Sequence, residues 1–271
     1  MNNQQLQNLK RMLLPESVVF IGGRGLETAI RSCRAIGYQG QLYVVNPHHK
    51  RIGGVDCHAS LSELPQVPDA ALVAVRSEQT VEVVRELSQR GVGGCVCYAA
   101  GFAEVGGDGV TRQQQLVAAA EDMALVGPNC YGILNFVDGV TLWPSAFGGE
   151  RVDRGIALIS QSGNIALNMT LLDRSLPLAH VISVGNQAVL EIGDYILALV
   201  DDPRVTAIGL YIEGLDDVAA FSRAALYALE KGKPIVALKV GVSDAAAQLT
   251  QSHTSSLAGS DAFYQALFQR L

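Results

Sequence analysis

Apolar positions in this chain fall into two kinds of stretch. Short β-branched runs alternate with longer segments in which apolar residues recur every third or fourth position, a pattern that predicts strand-helix units of a parallel, doubly wound α/β sheet. Ser17-Val18-Val19-Phe20-Ile21 runs into the turn Gly22-Gly23-Arg24-Gly25, and a helix from Leu26 to Ile36 follows. Strands are expected again at Gln41 to Pro47, Ala70 to Val75, Gly94 to Ala99 and Ala124 to Cys130, with helices near Glu78 to Arg90 and in the Gln-rich stretch before Ala124. From Asp138 to Arg154 the periodicity lapses, so a linker is expected there. The alternation resumes with strands at Gly155 to Gly163, Ala179 to Val184, Val205 to Glu213 and Pro234 to Val240, and helices ending near Leu199 and Lys231. The expected organisation is two consecutive doubly wound parallel-sheet domains, 1–145 and 146–271.

Composition narrows the partners. Of 271 residues, 49% are hydrophobic, 28 are glycine and only 6% are aromatic, which suits glycine turns between strands and helices. The net charge of −6 and the scattered basic residues argue against nucleic acid and against an anionic membrane surface, leaving a small ligand or another protein. Five cysteines, with Cys95-x-Cys97 inside an apolar run, suit neither a disulfide framework nor a metal site and imply a reducing compartment. Met1 to Leu14 is amphipathic without a signal-type apolar region, and no run of 18 uninterrupted apolar residues occurs. A cytoplasmic protein is expected.

Candidate chemistry lies at the carboxyl ends of the expected strands, where open parallel sheets bind ligands. The Gly22-Gly23-Arg24-Gly25 turn can admit phosphate, and it serves equally as a plain strand-to-helix turn. The tip of the second strand reads Asn46-Pro47-His48-His49-Lys50-Arg51. An NAD enzyme would carry Asp or Glu there. The cationic tip favours a ribose phosphate, as in CoA or NADP, and a solvated basic loop is the bland alternative. Val75-Arg76-Ser77, Ala99-Ala100-Gly101-Phe102 and Gly127-Pro128-Asn129-Cys130 end the remaining strands of the first half. In the second half, Ser160-Gln161-Ser162-Gly163-Asn164 can hold an anion at a helix start or simply cap it. Glu213 ends a later strand. His253 sits in Ser252-His253-Thr254-Ser255-Ser256-Leu257-Ala258-Gly259-Ser260, among small hydroxyl and glycine residues suited to phosphate.

In combination, these turns resemble the NDP-forming acyl-CoA synthetases, a family related to the succinyl-CoA synthetase alpha subunit. The shared elements are the strand-two Asn46-Pro47, Ala100-Gly101-Phe102, Gly127-Pro128-Asn129-Cys130, Ser160-Gln161-Ser162-Gly163, the turn ending at Gly185-Asn186, Tyr211-Ile212-Glu213-Gly214 and the His253 loop. The resemblance implies a Rossmann-like CoA-binding domain followed by a flavodoxin-like ligase domain. It implies CoA contacts from Gly22, Gly23, Arg24, Gly25, Asn46, Pro47, Lys50, Val75, Arg76, Ala100, Gly101, Phe102, Asn129 and Cys130. Phosphate would be held by Ser160, Gln161, Ser162, Gly163 and Asn164, His253 would be transiently phosphorylated, and Glu213 would support it.

The implied substrates are CoA, phosphate and a small carboxylic acid, with no metal of the chain's own. NTP or NDP with Mg would be handled by an ATP-grasp domain or partner subunit in an oligomer. The sequence departs from the family at the first glycine loop, at Val240 to Ala245, where the usual Arg and second Gly are absent, and at Ser255 in place of Gly. Two alternatives follow: a noncatalytic CoA-binding or regulatory module, and an NADP-dependent oxidoreductase.

Overall fold

The computed structural model describes residues 1–172, 176–241 and 261–271. Helix α1 (Asn3–Leu13) is followed by β1 (Ser17–Gly22), α2 (Glu27–Ala35), β2 (Gln41–Val45), the short pair β3 (Arg51–Ile52) and β4 (Val55–His58), β5 (Ala70–Ala74), α3 (Ser77–Gln89), β6 (Gly94–Cys97), α4 (Asp108–Ala120) and β7 (Ala124–Val126). These strands form one sheet in the order β3-β4-β2-β1-β5-β6-β7, parallel except at β3. The chain starts at β1 and winds outward in both directions. Its switch point lies between β1 and β5, where the loops after Gly22 and Ala74 diverge.

The second sheet contains β8 (Gly132–Asn135), β9 (Val140–Leu142), β10 (Gly155–Ser160), β11 (Leu178–Ser183), β12 (Val205–Ile212) and β13 (Ile235–Lys239), in the order β13-β12-β10-β11-β8-β9. Helices α5 (Gly163–Thr170), α6 (Ile192–Leu199), α7 (Val218–Glu230) and α8 (Asp261–Arg270) flank it. The α/β class is as expected, and the sheets are mixed, with β1 to β7 in the first and β8 to β13 in the second. Chain passes from one sheet to the other between Val126 and Gly132, and β8 and β9 pair antiparallel at the edge beside β11. Such strands, of four and three residues and buried on both faces, show no period-2 alternation. The expected linker therefore contains β9 and the buried Trp143.

Burial explains why these segments take these forms. β1, β6, β8 and β11 are buried at every residue, as interior strands covered on both faces must be, and edge strand β7 is buried at every residue as well. One apolar cluster runs through Leu9 and Met12 of α1, Phe20 of β1, Val96 and Val126 of the first sheet, and Ile159, Ile182 and Ile208 of the second. The two sheets therefore share a core. Asn135 Nδ2 of β8 donates to the Leu13 carbonyl at 3.0 Å, tying the end of α1 to the second sheet. By contrast, edge strand β13 leaves Val236 and Leu238 largely exposed.

His180 of β11 is one of several polar side chains in this interior. It is 2% exposed, and neither ring nitrogen has a hydrogen-bond partner. Burial pushes its pKa down to about 4, against the opposing pull of Asp202 and Asp138. The unfolded chain, with a histidine pKa near 6.5, binds this proton more readily. Stability must therefore fall as pH drops from about 6.5 towards 4, by about 3 kcal/mol from this group. His180→Leu, which removes the titration and leaves no unpaired nitrogen, is expected to flatten the urea-unfolding free energy over that window relative to the parent.

Candidate functional site

The carboxyl ends of the two sheets face each other, and their contact is backbone against backbone. In the turn after β11, Gly185 has φ +57°, and a Cβ there would lie 2.2 Å from the Pro128 carbonyl oxygen and 2.7 Å from that of Asn129. Only glycine accepts both that dihedral and that approach. The Asn186 N–H donates to the Pro128 carbonyl at 2.9 Å, and the Ala188 N–H to Gly127 at 3.0 Å. The Gly127–Pro128 peptide is cis.

Side chains complete the seam. Asn186 Nδ2 donates to the Glu104 carboxylate and to Gln113 Oε1. Glu104 also accepts from the N–H groups of Gly101 and Phe102. Burial raises the Glu104 carboxyl, but the donors Asn186, Gly101 and Phe102 outweigh it and hold the group below the usual glutamate range.

Between the sheets lies a cleft of about 720 Å³. From the first sheet it is lined by Tyr98, Ala99, Ala100, Asn129, Cys130 and Tyr131. From the second come Gln161, Ser162, Gly163, Asn164, Gly185, Asn186, Tyr211, Glu213, Val240 and Gly241. Helix α5 begins on its wall. Ser162 caps that helix by accepting from the Ile165 N–H at 3.4 Å, and Ser160 turns inward to donate to the Ser162 carbonyl at 2.7 Å. The capping reading of this turn describes a real hydrogen bond, and the helix start, with Gly163 and Asn164, lines the cleft.

Gln161 lines the cleft and bonds to the end of a neighbouring strand. Its Nε2 donates to the Gly214 carbonyl at 2.8 Å, and its Oε1 accepts from the N–H groups of Glu213 and Gly214. The amide is spent on clamping the end of β12 to the end of β10, which aims Glu213 at the cleft. Tyr211, one turn of the pleat earlier, is held above the usual tyrosine range by burial and then by the Glu213 charge.

The expected CoA contacts fall in three places. Ala100, Asn129 and Cys130 line the cleft; Gly22, Gly23, Arg24, Gly25, Asn46, Pro47, Lys50, Val75 and Arg76 sit at the tips of β1, β2 and β5, further along the same edge. Asn46 orders those tips: its Nδ2 donates to the Gly22 carbonyl at 2.8 Å and its Oδ1 accepts from the His48 and His49 N–H groups. Gly101 gives its N–H to Glu104, and the Phe102 ring is fully buried in the first-sheet core. The Cys130 thiol points at the carbonyls of Cys97 and Val126, and burial pushes its pKa far up. It is a packing thiol rather than a nucleophile. His253 and its loop lie outside the described residues. Among the described residues, no cluster of side chains suits a metal ion, and no helix is long and apolar enough to cross a membrane.

Sequence reading missed Glu104, Gln113, Tyr98 and Tyr131 at the site. Tyr131 directly follows the Gly127–Cys130 turn, which was a usable signal; Glu104 and Gln113 meet Asn186 only through the contact between sheets.

Comparison with known proteins resolves the ancestry. The family described as CoA binding domain matches residues 26–135, and the succinyl-CoA ligase like flavodoxin domain matches residues 153–271. An acetate–CoA ligase (ADP-forming) I subunit alpha of Pyrococcus furiosus is 33% identical over 97% of this chain and 59% of its own length. Over nearly its whole length the chain is similar to the alpha-subunit portion of ADP-forming acyl-CoA synthetases. A trans-feruloyl-CoA synthase from an unknown prokaryotic organism is 35% identical over 93% of this chain and 38% of its own length. The structure of a dinucleotide-forming acetyl-coenzyme A synthetase 1 from Ca. Korarchaeum cryptofilum, in complex with phosphate and ADP, superposes with a TM-score of 0.87 at 27% identity, covering 97% of this chain and 58% of that one. The chain thus spans between about two fifths and three fifths of the length of these synthetases. It carries the alpha-subunit-like CoA-binding and ligase domains of the family.

The seam at Gly185 is the contact on which this site depends. Gly185→Ala must strain the turn and collide with the Pro128 carbonyl, and is expected to lower stability by about 3 kcal/mol. A urea midpoint unchanged from the parent would show that the sheets are not seated this way.

Proposed function

We propose that this chain performs the acyl and phosphoryl half-reactions of an ADP-forming acyl-CoA synthetase. The observation that carries the reading is the cleft itself: the Gly127–Cys130 turn of a CoA-binding domain faces the start of α5 and Glu213 of a ligase domain across one cavity. CoA lies along the carboxyl edge of the first sheet. Nothing lies within 4 Å of where a Cβ would be at Gly23 or Gly25, so packing does not require glycine there; open approach for a phosphate gives a reason for it. Arg24 and Lys50 are exposed beside that turn and supply positive charge for the nucleotide phosphates. The thiol end of CoA reaches the cleft past Ala100 and Asn129.

In the cleft, phosphate attacks the thioester carbonyl; the carbon–sulfur bond breaks, the thiolate leaves and takes a proton, and an acyl phosphate remains. The start of α5 and the side-chain amide of Asn164 stabilise the charge on the phosphoryl oxygens. The neutral imidazole of His253 then attacks phosphorus, the bond to the acyl oxygen breaks, and the free carboxylate is released. Glu213, clamped by Gln161, holds the imidazole oriented and stabilises the positive charge it acquires. Passage of the phosphoryl group from His253 to a nucleoside diphosphate belongs to an ATP-grasp domain or subunit, with which this chain assembles in the cytoplasm. The relatives are named for acyl groups as different as acetate and ferulate, so kinship does not choose the acid.

Calorimetric titration with CoA, dephospho-CoA and NADP tests the binding half. CoA is expected to bind, dephospho-CoA about tenfold more weakly through loss of charge-assisted hydrogen bonds, and His253→Ala to bind CoA like the parent. Binding of NADP without CoA would overturn the reading. For the catalytic half, acyl-CoA plus radiolabelled phosphate is expected to leave acid-labile label on the parent and none on His253→Ala. A parent that binds CoA and takes no label would be a binding module instead.

A further inference from the structure

The cleft contains aromatic structure that acyl transfer by itself does not require. Tyr98 extends from the end of β6 with 43% of its surface exposed, and no core contact calls for a ring there. Tyr131 is its neighbour, with ring centroids 6.3 Å apart and planes inclined at 55°. That separation is too short for a third ring to slip between them. The two rings instead form an open corner.

Tyr131 is fixed from several sides before any ligand arrives. Its ring stacks on fully buried Trp143 at 5.1 Å and 20°, and the indole N–H donates to Ser145 Oγ at 3.1 Å. Its backbone N–H donates to Ser183 Oγ at 3.1 Å. Its edge lies so close to the first residue of α5 that a Cβ on Gly163 would sit 2.6 Å from Tyr131 Cδ2. A rigid aromatic wall therefore ends at the positive end of a helix. Tyr211 and Asn164 also line this cavity.

We propose that the cleft selects an aromatic carboxylic acid, its ring lying in the corner made by Tyr98 and Tyr131 and its carboxylate at the start of α5. This rests on the synthetase reading above and names its substrate class. The contact between Tyr131 and Gly163 sets the length of the acid. A ring in the corner is within a few bonds of the first α5 amides, so the carboxylate is attached directly, as in benzoate, or through a short planar link, as in cinnamate. Acetate leaves the corner empty. A linear acid of similar length fills space there but forgoes the tilted ring contacts, each worth roughly two- to tenfold in affinity beyond burial of area. With the wall already ordered, little affinity is lost to arranging it.

The only tryptophan of the chain is the one behind Tyr131, so intrinsic fluorescence reports on this corner. The purified chain would be titrated with benzoate, cinnamate, hexanoate and acetate by fluorescence and calorimetry, alongside CoA, and the series repeated with Tyr98→Leu and Tyr131→Leu. At least one aromatic acid is expected to bind about tenfold or more tighter than hexanoate. Tyr98→Leu should remove most of that preference, leave hexanoate nearly unchanged and keep CoA affinity within about twofold. Tyr98 is exposed, so this variant decides the matter even if Tyr131→Leu does not fold. CoA binding with no preference for aromatic acids, or an equal loss of both acid types in Tyr98→Leu, would overturn the aromatic assignment and leave the synthetase reading standing. A parent chain that does not bind CoA would overturn both.

Discussion

Everything functional in this molecule depends on how closely two backbones approach at Gly185. The carbonyls of Pro128 and Asn129 occupy the space a side chain would need, and the amides of Asn186 and Ala188 turn that approach into hydrogen bonds. A side chain at 185 would push the sheets apart and open the cleft to solvent, where helix ends and carboxylates act weakly on a ligand because water screens them. The glycine thus sets the width of the site as well as forming part of its wall.

Around that contact, polar groups are committed in pairs that leave the cleft walls fixed. Glu104 gathers donors from its own loop and from Asn186 of the other sheet, and Gln161 holds the end of β12 by both faces of its amide. Hydrogen bonds of this kind contribute modestly to stability, and much is lost when one partner is removed. Their larger effect is positional. The start of α5, Glu213 and the Gly127–Cys130 turn are each held by hydrogen bonds within the protein, so the cavity is formed in advance of its ligand.

The sequence made most of the fold legible because parallel strands buried on both faces read as apolar runs, and helices between them keep their own period. β1, β10 and β12 start within a residue of where the runs placed them. What escaped was the non-repeating part: β3 with two residues, and β8 and β9 with four and three, whose antiparallel pairing comes from tertiary contact rather than from local pattern. At the site, motifs carried by turns were legible one by one. Their partners were not, since Glu104 to Asn186 spans 82 positions and Gln161 to Gly214 spans 53. The burial of Phe102 and the bonds of Gln161 to Gly214 were not legible either, because motif matching names a turn and does not say which atoms the fold has already used.

The apolar cluster that joins α1, β1 and the second sheet has a consequence for how such chains change over time. Family resemblance divides the polypeptide into two modules, but Leu9, Phe20, Ile159 and Ile208 lie in one continuous interior. A recombination event that exchanged one module for that of a distant relative would bring together two half-cores that had never been fitted to each other, and close-packed interiors tolerate that poorly. The heritable unit is therefore the pair, with drift on one side of the boundary answered by compensating change on the other.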